Sequence, residues 1–239
     1  MICHVLDEDP DLAGALEGWR LEEARRRCLA SEVVLAEGDW APEEDAEIEA
    51  ARGGYGLLVL EGLLIRRVGA PARYAAELLG PGDLLRPWQG DGEDIMLPFD
   101  VKFTVLQRAR LAVLDEEFAE RAAPFPGIGV AIVRRSMQRS QTLAVNLAIV
   151  HYPQVRPRLL LLLWHLADRW GRVTPEGVRI PLRLRHHMLA DLLAVRRPSA
   201  TAALQQLVSE GLVQRDEEGL ILHGDVMQRL DELLGERVT

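Results

Sequence analysis

The sequence predicts an α+β fold made of an N-terminal antiparallel β-roll with flanking helices and a C-terminal winged helix-turn-helix. Three observations predict it. Short apolar runs separated by Gly and Pro fill residues 32–115, which is typical of antiparallel sheets. A helical pattern then continues from Gly129 to Pro153, and residues 178–224 follow the order strand, helix, turn, helix, hairpin. The 239 residues exceed one typical core. We expect residues 1–123 to form a sensor domain and residues 124–154 to form a dimerisation helix with a hinge. Residues 155–239 are expected to form the winged helix-turn-helix domain.

The N-terminal part predicts one helix followed by short strands. A loose amphipathic stripe indicates a helix from about Asp11 to Ala30, carried by Leu12, Leu16, Trp19 and Ala24. The strand candidates are VVLAEGD (33–39), YGLLVLEGLLIRRVG (55–69), RYAAELLGPGDLL (73–85) and VKFTVLQRARLAVLD (101–115). Glu61-Gly62 and Pro81-Gly82 are turn residues. An antiparallel sandwich or roll fits this pattern.

The segment 124–157 predicts a helix of about 24 residues. Apolar and small residues recur along it every three or four positions, at Val133, Met137, Ser140, Ala144, Leu147 and His151. This spacing is typical of a short coiled-coil seam and predicts a homodimer. In the alternative interpretation, the stripe packs on the chain's own β-roll.

The C-terminal part predicts a winged helix-turn-helix. The apolar run 159–167 is interpreted as its first helix, and residues 178–185 alternate apolar and polar as a half-buried strand does. Two short helices follow, and Gly211 precedes a hairpin that turns at Glu218-Gly219. The second helix is of a size that enters a DNA major groove. A helical subdomain with an apolar interior is the plainer alternative.

The charge distribution favours DNA binding by this part. The whole chain carries a net charge of −9, but residues 156–215 contain ten Arg and four acidic residues, which gives +6. Such segregation directs a basic face toward phosphates. Arginine also suits bidentate contacts with phosphate or guanine.

These residues resemble the DNA-binding domain of the Crp/Fnr superfamily of bacterial regulators. The match runs in register through Leu189-Ala190 and then through Arg197, Ser199, Thr201, Leu204, Leu207, Gly211 and Leu212. The resemblance implies a homodimer that reads a palindromic operator, with DNA contacts from Arg185, His186, Arg196, Arg197, Ser199, Thr201, Ala202 and Gln205. Three positions depart from the family pattern. Arg185 replaces a Ser or Thr cap, Ala194 replaces the turn Gly, and Ala202 replaces an Arg that often reads bases.

The N-terminal strands resemble the family's cyclic-nucleotide-binding domain, a double-stranded β-helix-like roll, but its ligand cassette is degenerate. GLLVLEGLLIRRV is similar to the family's strand–Gly–strand hairpin. Residues 86–103 contain four acidic residues, no Arg-Ser or Arg-Thr pair, and Pro98 where a cassette strand should begin. Four carboxylates would repel a cyclic phosphate, so cyclic AMP is not the expected effector. Arg86, Trp88 and Arg110 are candidates for another effector pocket, with loop anchoring and strand-edge solvation as the alternative.

Other functional classes lack the residues they need. Two cysteines are too few for an iron–sulfur cluster, the histidines form no metal set, and no nucleophile–base pair has informative spacing, so we expect neither a cofactor nor an enzyme. The N-terminus does not have the pattern of a signal peptide, and the run 159–167 is too short to cross a bilayer. The expected partners are operator DNA, a second copy and, as a candidate, RNA polymerase, in the cytoplasm and without a membrane. The alternatives are a protein-interaction or small-molecule-binding module whose winged helix no longer binds DNA.

Overall fold

The computed structural model describes residues 1–44, 46–70, 73–87 and 99–224. The chain forms two compact units. The first contains residues 1–72 and 77–142, and the second contains residues 73–76 and 143–239. Among the described residues, no helix combines the length and the apolar character that a membrane span requires.

The first unit contains a seven-stranded sheet, except for residues 73–76 of its fifth strand, which belong to the second unit. Its strands are β1 (Ile2–His4), β2 (Leu29–Leu35), β3 (Gly38–Trp40), β4 (Gly56–Ala70), β5 (Arg73–Leu79), β6 (Leu84–Leu85) and β7 (Asp100–Leu114). The order is β1-β2-β7-β4-β5, while β3 also pairs with β7 and β6 with β4. The pairs β1–β2, β2–β7, β3–β7, β4–β6 and β4–β7 are all antiparallel. The predicted antiparallel roll is therefore confirmed.

Glu61-Gly62 does not form the predicted hairpin turn. β4 runs through it as one strand, and its pairing with β7 shifts register between Val59 and Leu64. Gly62 has a φ of 94°, and a Cβ there would lie 2.4 Å from the carbonyl oxygen of Arg108. The glycine thus permits a β-bulge that bends a continuous strand. Pro81-Gly82 does form the predicted turn, since Gly80 N–H donates to the Asp83 carboxylate at 2.8 Å.

The single helix predicted over residues 11–30 is wrong. The structure has α1 (Val5–Glu8), a 3-10 turn (Pro10–Ala13) and α2 (Gly18–Arg27). Gly18 has a φ of 55°, so the backbone changes direction where the stripe was expected to continue. Trp19 is consequently 77% exposed, and Leu29 already belongs to β2.

Further helices follow the sheet strands. A 3-10 turn (Pro42–Glu44), α3 (Ala46–Glu49) and a second 3-10 turn (Ala50–Gly53) precede β4, and α4 (Glu116–Ala122) and α5 (Pro126–Val150) follow β7. The Asp115 carboxylate caps α4 by accepting from Phe118 N–H at 2.7 Å. The predicted long helix is confirmed as α5.

Two apolar clusters share the strands of the sheet. Leu58, Ala112 and Leu114 pack with α1, α2, α4 and the start of α5, while Leu57, Val59 and Leu111 belong to the second cluster. Neighbouring residues such as Leu57 and Leu58 enter different clusters because successive side chains point to opposite faces of a strand.

The second unit has the predicted winged helix-turn-helix. It contains α6 (Val155–Trp170), β8 (Arg172–Thr174), β9 (Gly177–Ile180), α7 (His186–Leu192), α8 (Arg197–Ser209), β10 (Val213–Arg215) and β11 (Leu220–Leu222). Its antiparallel sheet has the order β10-β11-β9-β8. The strand predicted over 178–185 ends at Ile180 because Pro181 has no N–H for the sheet. β8 was not predicted, since three residues are too few to establish alternation.

Candidate nucleic-acid interface

The helix pair α7–α8 separates a buried face from an outward one. Met188, Leu189, Leu192 and Leu193 are at most 6% exposed, and Ala200, Ala203, Leu204 and Leu207 at most 3%. Among the remaining positions of α8, Arg197, Ser199, Ala202, Gln205 and Gln206 are exposed, and Thr201 is half-buried. The apolar interior therefore holds α8 in place while its polar residues stay available to a ligand.

Both helices begin with basic residues and without a side-chain cap. Arg185 and Arg196 hold the N-cap positions of α7 and α8, and neither caps its helix with its side chain. A guanidinium has donors only and cannot accept from the free N–H groups of a helix start. Both cap residues are exposed, as is Arg197 in the first turn of α8. Positive charge therefore collects at both helix starts, where it attracts phosphate oxygens. Backbone donors add little at α8, because Pro198 has no N–H and Ser199 N–H already donates to the Arg196 carbonyl at 3.0 Å.

The turn between the two helices is strained at Ala194. This residue has a φ of 52°, the only positive φ of a residue other than glycine in the described chain. Val195 N–H donates to Ala190 O at 2.9 Å and closes the turn. Ala194, which stands where the family pattern has Gly, therefore leaves the turn intact but places a residue with a Cβ in the left-handed region.

Arg158 connects this turn to the end of the long helix. From α6, its guanidinium donates to the Leu193 carbonyl at 3.0 Å and, through Nε, to the Tyr152 carbonyl at 3.0 Å. Tyr152 lies in the predicted hinge, two residues beyond α5. In the sequence, Arg158 is one of the ten arginines of residues 156–215, which we call the basic segment. Its role was not predicted, because no spacing rule relates it to carbonyl groups six and 35 residues away.

His186, predicted as a DNA contact, is bonded within the protein. Its Nδ1 lies 2.8 Å from Thr201 Oγ1 on α8, and its Nε2 lies 3.1 Å from Nη1 of Arg215 on β10. Burial, followed by the charges of Arg215 and Arg197, lowers the pKa of His186 below its ordinary value of 6.5. The imidazole is therefore neutral at physiological pH. Arg215 was not predicted as a site residue, because a three-residue strand gives no pattern that would relate it to His186.

The wing carries acidic residues at its tip. Between β10 and β11, the Asp216 carboxylate accepts from Glu218 N–H at 2.9 Å and from Gly219 N–H at 2.8 Å. Arg179 from β9 pairs with Asp216 and, at 3.3 Å, with Glu218. Glu217 is exposed between them. The hairpin turn predicted at Glu218-Gly219 is confirmed, and the Asp216 carboxylate closes it through these two hydrogen bonds.

The predicted dimer residues form an exposed row along α5, with His151 one residue beyond its end. Val133, Met137 and Leu147 are 58%, 64% and 58% exposed, and Ser140, Ala144 and His151 are also exposed. Ile128 and Ile132 on the other side of the helix are buried in the first unit. Arg139 anchors that same side by donating to Glu77 at 2.5 Å and to the Leu84 carbonyl at 3.0 Å. Within the first unit, Val133, Met137 and Ser140 therefore face away from the roll.

The candidate effector residues make contacts of their own. Arg110 lies on β7 and pairs with Glu32 at 2.8 Å and with Glu8 at 3.0 Å. The hydrogen bond from Arg110 holds the pKa of Glu32 below its ordinary value. Arg86 donates to the Arg52 carbonyl at 3.2 Å. Trp88 lies outside the described residues, as does most of the acidic segment 86–103.

Known proteins share this architecture. Residues 157–230 match the Crp-like helix-turn-helix domain. A comparison with curated proteins gives no match. Among solved structures, a CooA mutant from Carboxydothermus hydrogenoformans is 17% identical with a TM-score of 0.64, over 93% of this chain and 94% of that chain.

Two further solved structures extend the comparison. FixK2 from Bradyrhizobium japonicum is 16% identical with a TM-score of 0.61, over 85% of this chain and 96% of that chain. A CRP-family transcriptional regulator from Thermus thermophilus is 19% identical with a TM-score of 0.58, over 87% of this chain and 98% of that chain. Residues 157–230 are thus a Crp-like helix-turn-helix domain, and the chain as a whole has the fold of the Crp/Fnr regulators.

Proposed function

We propose that this protein is a homodimeric transcription regulator that binds a palindromic DNA operator through α8. The exposed polar face of α8 within a Crp-like helix-turn-helix domain carries the proposal. A helix of this size reads base edges from the major groove, and a twofold dimer presents two such helices to two half-sites. The regulator would act in the cytoplasm without catalysing a reaction, and RNA polymerase is its candidate protein partner.

Arg197 is the proposed base-reading residue. It lies exposed in the first turn of α8, and its guanidinium fork can donate to both acceptors of a guanine edge. Arg185, Arg196 and Ser199 lie at the helix starts, where phosphate contacts position a protein without reading sequence. Farther along α8, Ala202 offers a methyl group for thymine, and Gln205 can bond a base or the backbone.

The proposal is tested by selecting genomic fragments that the protein binds and comparing two arginine variants on the selected operator and on scrambled DNA. Arg197→Ala should lose about 1–3 kcal/mol on the operator and much less on scrambled DNA. Arg185→Ala should weaken both DNAs alike and reduce the salt slope by about one, because it removes a phosphate contact. Equal losses on both DNAs for Arg197→Ala would show that it reads no base.

Failure to select any fragment would favour the alternative that the winged helix serves protein contacts. Salt-insensitive binding would point the same way, because phosphate contacts always release counterions. A small-molecule-binding role for the roll would instead appear as a ligand retained on the purified protein in mass spectrometry.

The effector is proposed not to be a cyclic nucleotide. Residues 86–103 place four carboxylates where a cyclic phosphate would need an arginine and backbone donors. Arg110, one of the candidate effector residues, is already paired with the carboxylates of Glu8, Glu32 and Glu61. Calorimetric titration with cyclic AMP and cyclic GMP should give no signal up to about millimolar concentration, the weak end of specific binding. A micromolar dissociation constant for either nucleotide would contradict this.

A further inference from the structure

The hydrogen bonds of His186 determine which ring nitrogen carries the proton. Nη1 of Arg215 lies 3.1 Å from Nε2, and a guanidinium can only donate. Nε2 must therefore accept, so the neutral ring carries its hydrogen on Nδ1. That N–H then donates to Thr201 Oγ1 at 2.8 Å. The imidazole thus connects the first turn of α7 with α8 and with the wing strand β10.

This arrangement determines what the Thr201 hydroxyl can offer. Its oxygen accepts from His186, so its own proton remains to be donated. Within the part of the chain that the structure describes, His186 is the one side-chain hydrogen-bond partner of Thr201. Arg197 and Gln205 lie four residues before and after Thr201, on the same side of α8. The hydroxyl is therefore held as a donor on the side of α8 that faces outward.

The same ring also restrains Arg215. Arg215 is exposed on β10, and one of its five N–H groups is engaged by Nε2. The other donors stay available for a phosphate. A long exposed side chain loses rotamer freedom when it is fixed on binding, and holding it beforehand reduces that cost.

We propose that His186 is a positioning residue for DNA recognition, which in its neutral form orients Thr201 as a hydrogen-bond donor toward the bases and Arg215 toward the DNA backbone. The proposal rests on the DNA-binding function proposed for α8. It replaces the direct DNA contact that the sequence implied for His186, because both ring nitrogens already have protein partners.

Acidification distinguishes positioning from direct contact. Protonation adds a hydrogen to Nε2, which removes the acceptor of Arg215 and places a third positive charge beside Arg215 on β10 and Arg197 on α8. Burial, followed by these two cations, lowers the pKa of His186, so protonation occurs below the ordinary value of 6.5. A histidine that bound phosphate directly would tighten binding on protonation. A positioning histidine instead lowers the preference for the operator over scrambled DNA.

The experiment measures the ratio of operator to scrambled affinity from about pH 8 to about pH 5.5, the range in which histidine titrates. For the wild type, the ratio of operator to scrambled affinity should fall about fivefold on acidification, which corresponds to the loss of one hydrogen bond. His186→Ala should show that loss at every pH with a flat profile. His187→Gln is the matched control, since His187 is the exposed neighbour on the same helix, and it should retain the wild-type profile.

Two further measurements test the proposal even if His186→Ala loses the operator preference because it misfolds. Thr201→Val keeps the side-chain shape without the hydroxyl, and it should lower the ratio in the wild type but not in the His186→Ala background. Nitrogen NMR of the unbound wild type should show the Nδ1–H tautomer, a result that does not depend on DNA.

The outcomes separate the two proposals. Equal loss on both DNAs for His186→Ala, a ratio that rises on acidification, or an Nε2–H tautomer would overturn the positioning role alone. A wild type that shows no operator preference at any pH would overturn the regulator function and this inference with it.

Discussion

At the residue scale, Ala194 in the turn between α7 and α8 is held at a cost in stability. Its φ of 52° belongs to the left-handed region, which costs a residue with a Cβ about 1–2 kcal/mol. Glycine removes that strain but gains freedom in the unfolded chain, which offsets part of the benefit. Ala194→Gly should therefore stabilise the protein by about 1 kcal/mol, measured as a higher midpoint of thermal unfolding.

The control is the same substitution in a regular helix. Ala202 is exposed on α8 and helical, so Ala202→Gly should lower the free energy of unfolding by about 1 kcal/mol. Changes of opposite sign in the free energy of unfolding for the two variants would establish that the backbone conformation at each position decides the effect of glycine. A destabilising Ala194→Gly would mean that the turn does not hold the left-handed conformation in solution.

Residue-scale predictions from sequence succeeded where the pattern was local. The buried positions Ala200, Leu204 and Leu207 follow directly from helical spacing, and all are at most 2% exposed. Arg110 shows the limit of such reasoning. Its partners Glu8 and Glu32 lie 102 and 78 residues away, so no spacing in the sequence could show that its charge is already paired. The shared contacts of His186 were hidden for the same reason.

At the element scale, the sequence predicted helices and strands wherever one periodicity persisted. The predictions failed at two glycines, because a glycine can occupy a turn, a bulge or a helix end. Gly62 was interpreted as a turn because Glu-Gly is turn chemistry, yet the pairing of β4 along β7 makes it a bulge within one strand. Gly18 begins α2 after a non-helical stretch, although the apolar stripe was expected to continue through it as one helix. Sheet pairing and backbone φ decided both cases, and neither is encoded in a short window.

The exposed seam of α5 carries a prediction about assembly. Leu147 is 58% exposed in one chain, and in the proposed dimer it would meet its own copy across the seam. Leu147→Glu should place two carboxylates against each other in an apolar interface and shift the protein from dimer to monomer in sedimentation.

A second exposed aliphatic residue on α5 supplies the control. Val145 is 44% exposed and lies two residues before Leu147, outside the seam spacing. Val145→Glu introduces the same charge into the same helix and should leave the dimer intact. An unchanged dimer for Leu147→Glu would contradict the seam, and monomers for both variants would indicate a broader interface.

At the scale of the whole molecule, charge is divided along the chain. The net charge is −9 overall and +6 over residues 156–215, so the remaining residues carry −15. A basic segment in an acidic protein confines attraction for phosphates to one part of the chain. The sequence was sufficient to predict this division. It did not predict that the acids of the wing would be held together at the hairpin tip by Arg179.

The acidic wing tip is expected to limit non-specific binding. Glu217 is exposed and follows Arg215 by two residues, so we expect a phosphate that approaches the wing arginine to be repelled by this carboxylate. Glu217→Gln removes one repulsive charge without changing the side-chain length. We expect about twofold tighter binding to operator and scrambled DNA alike, the size of one exposed charge interaction. The gain should vanish at high salt, because exposed charges are screened there.

Glu43→Gln provides the comparison for this variant. Glu43 is also exposed but lies in the N-terminal unit, outside the basic segment, and its replacement changes the net charge by the same amount. If general repulsion between DNA and an acidic protein set the affinity, both variants would tighten binding equally. Tighter binding for Glu217→Gln alone would place the wing next to the DNA backbone. A change confined to the operator would instead mean that Glu217 contributes to sequence reading.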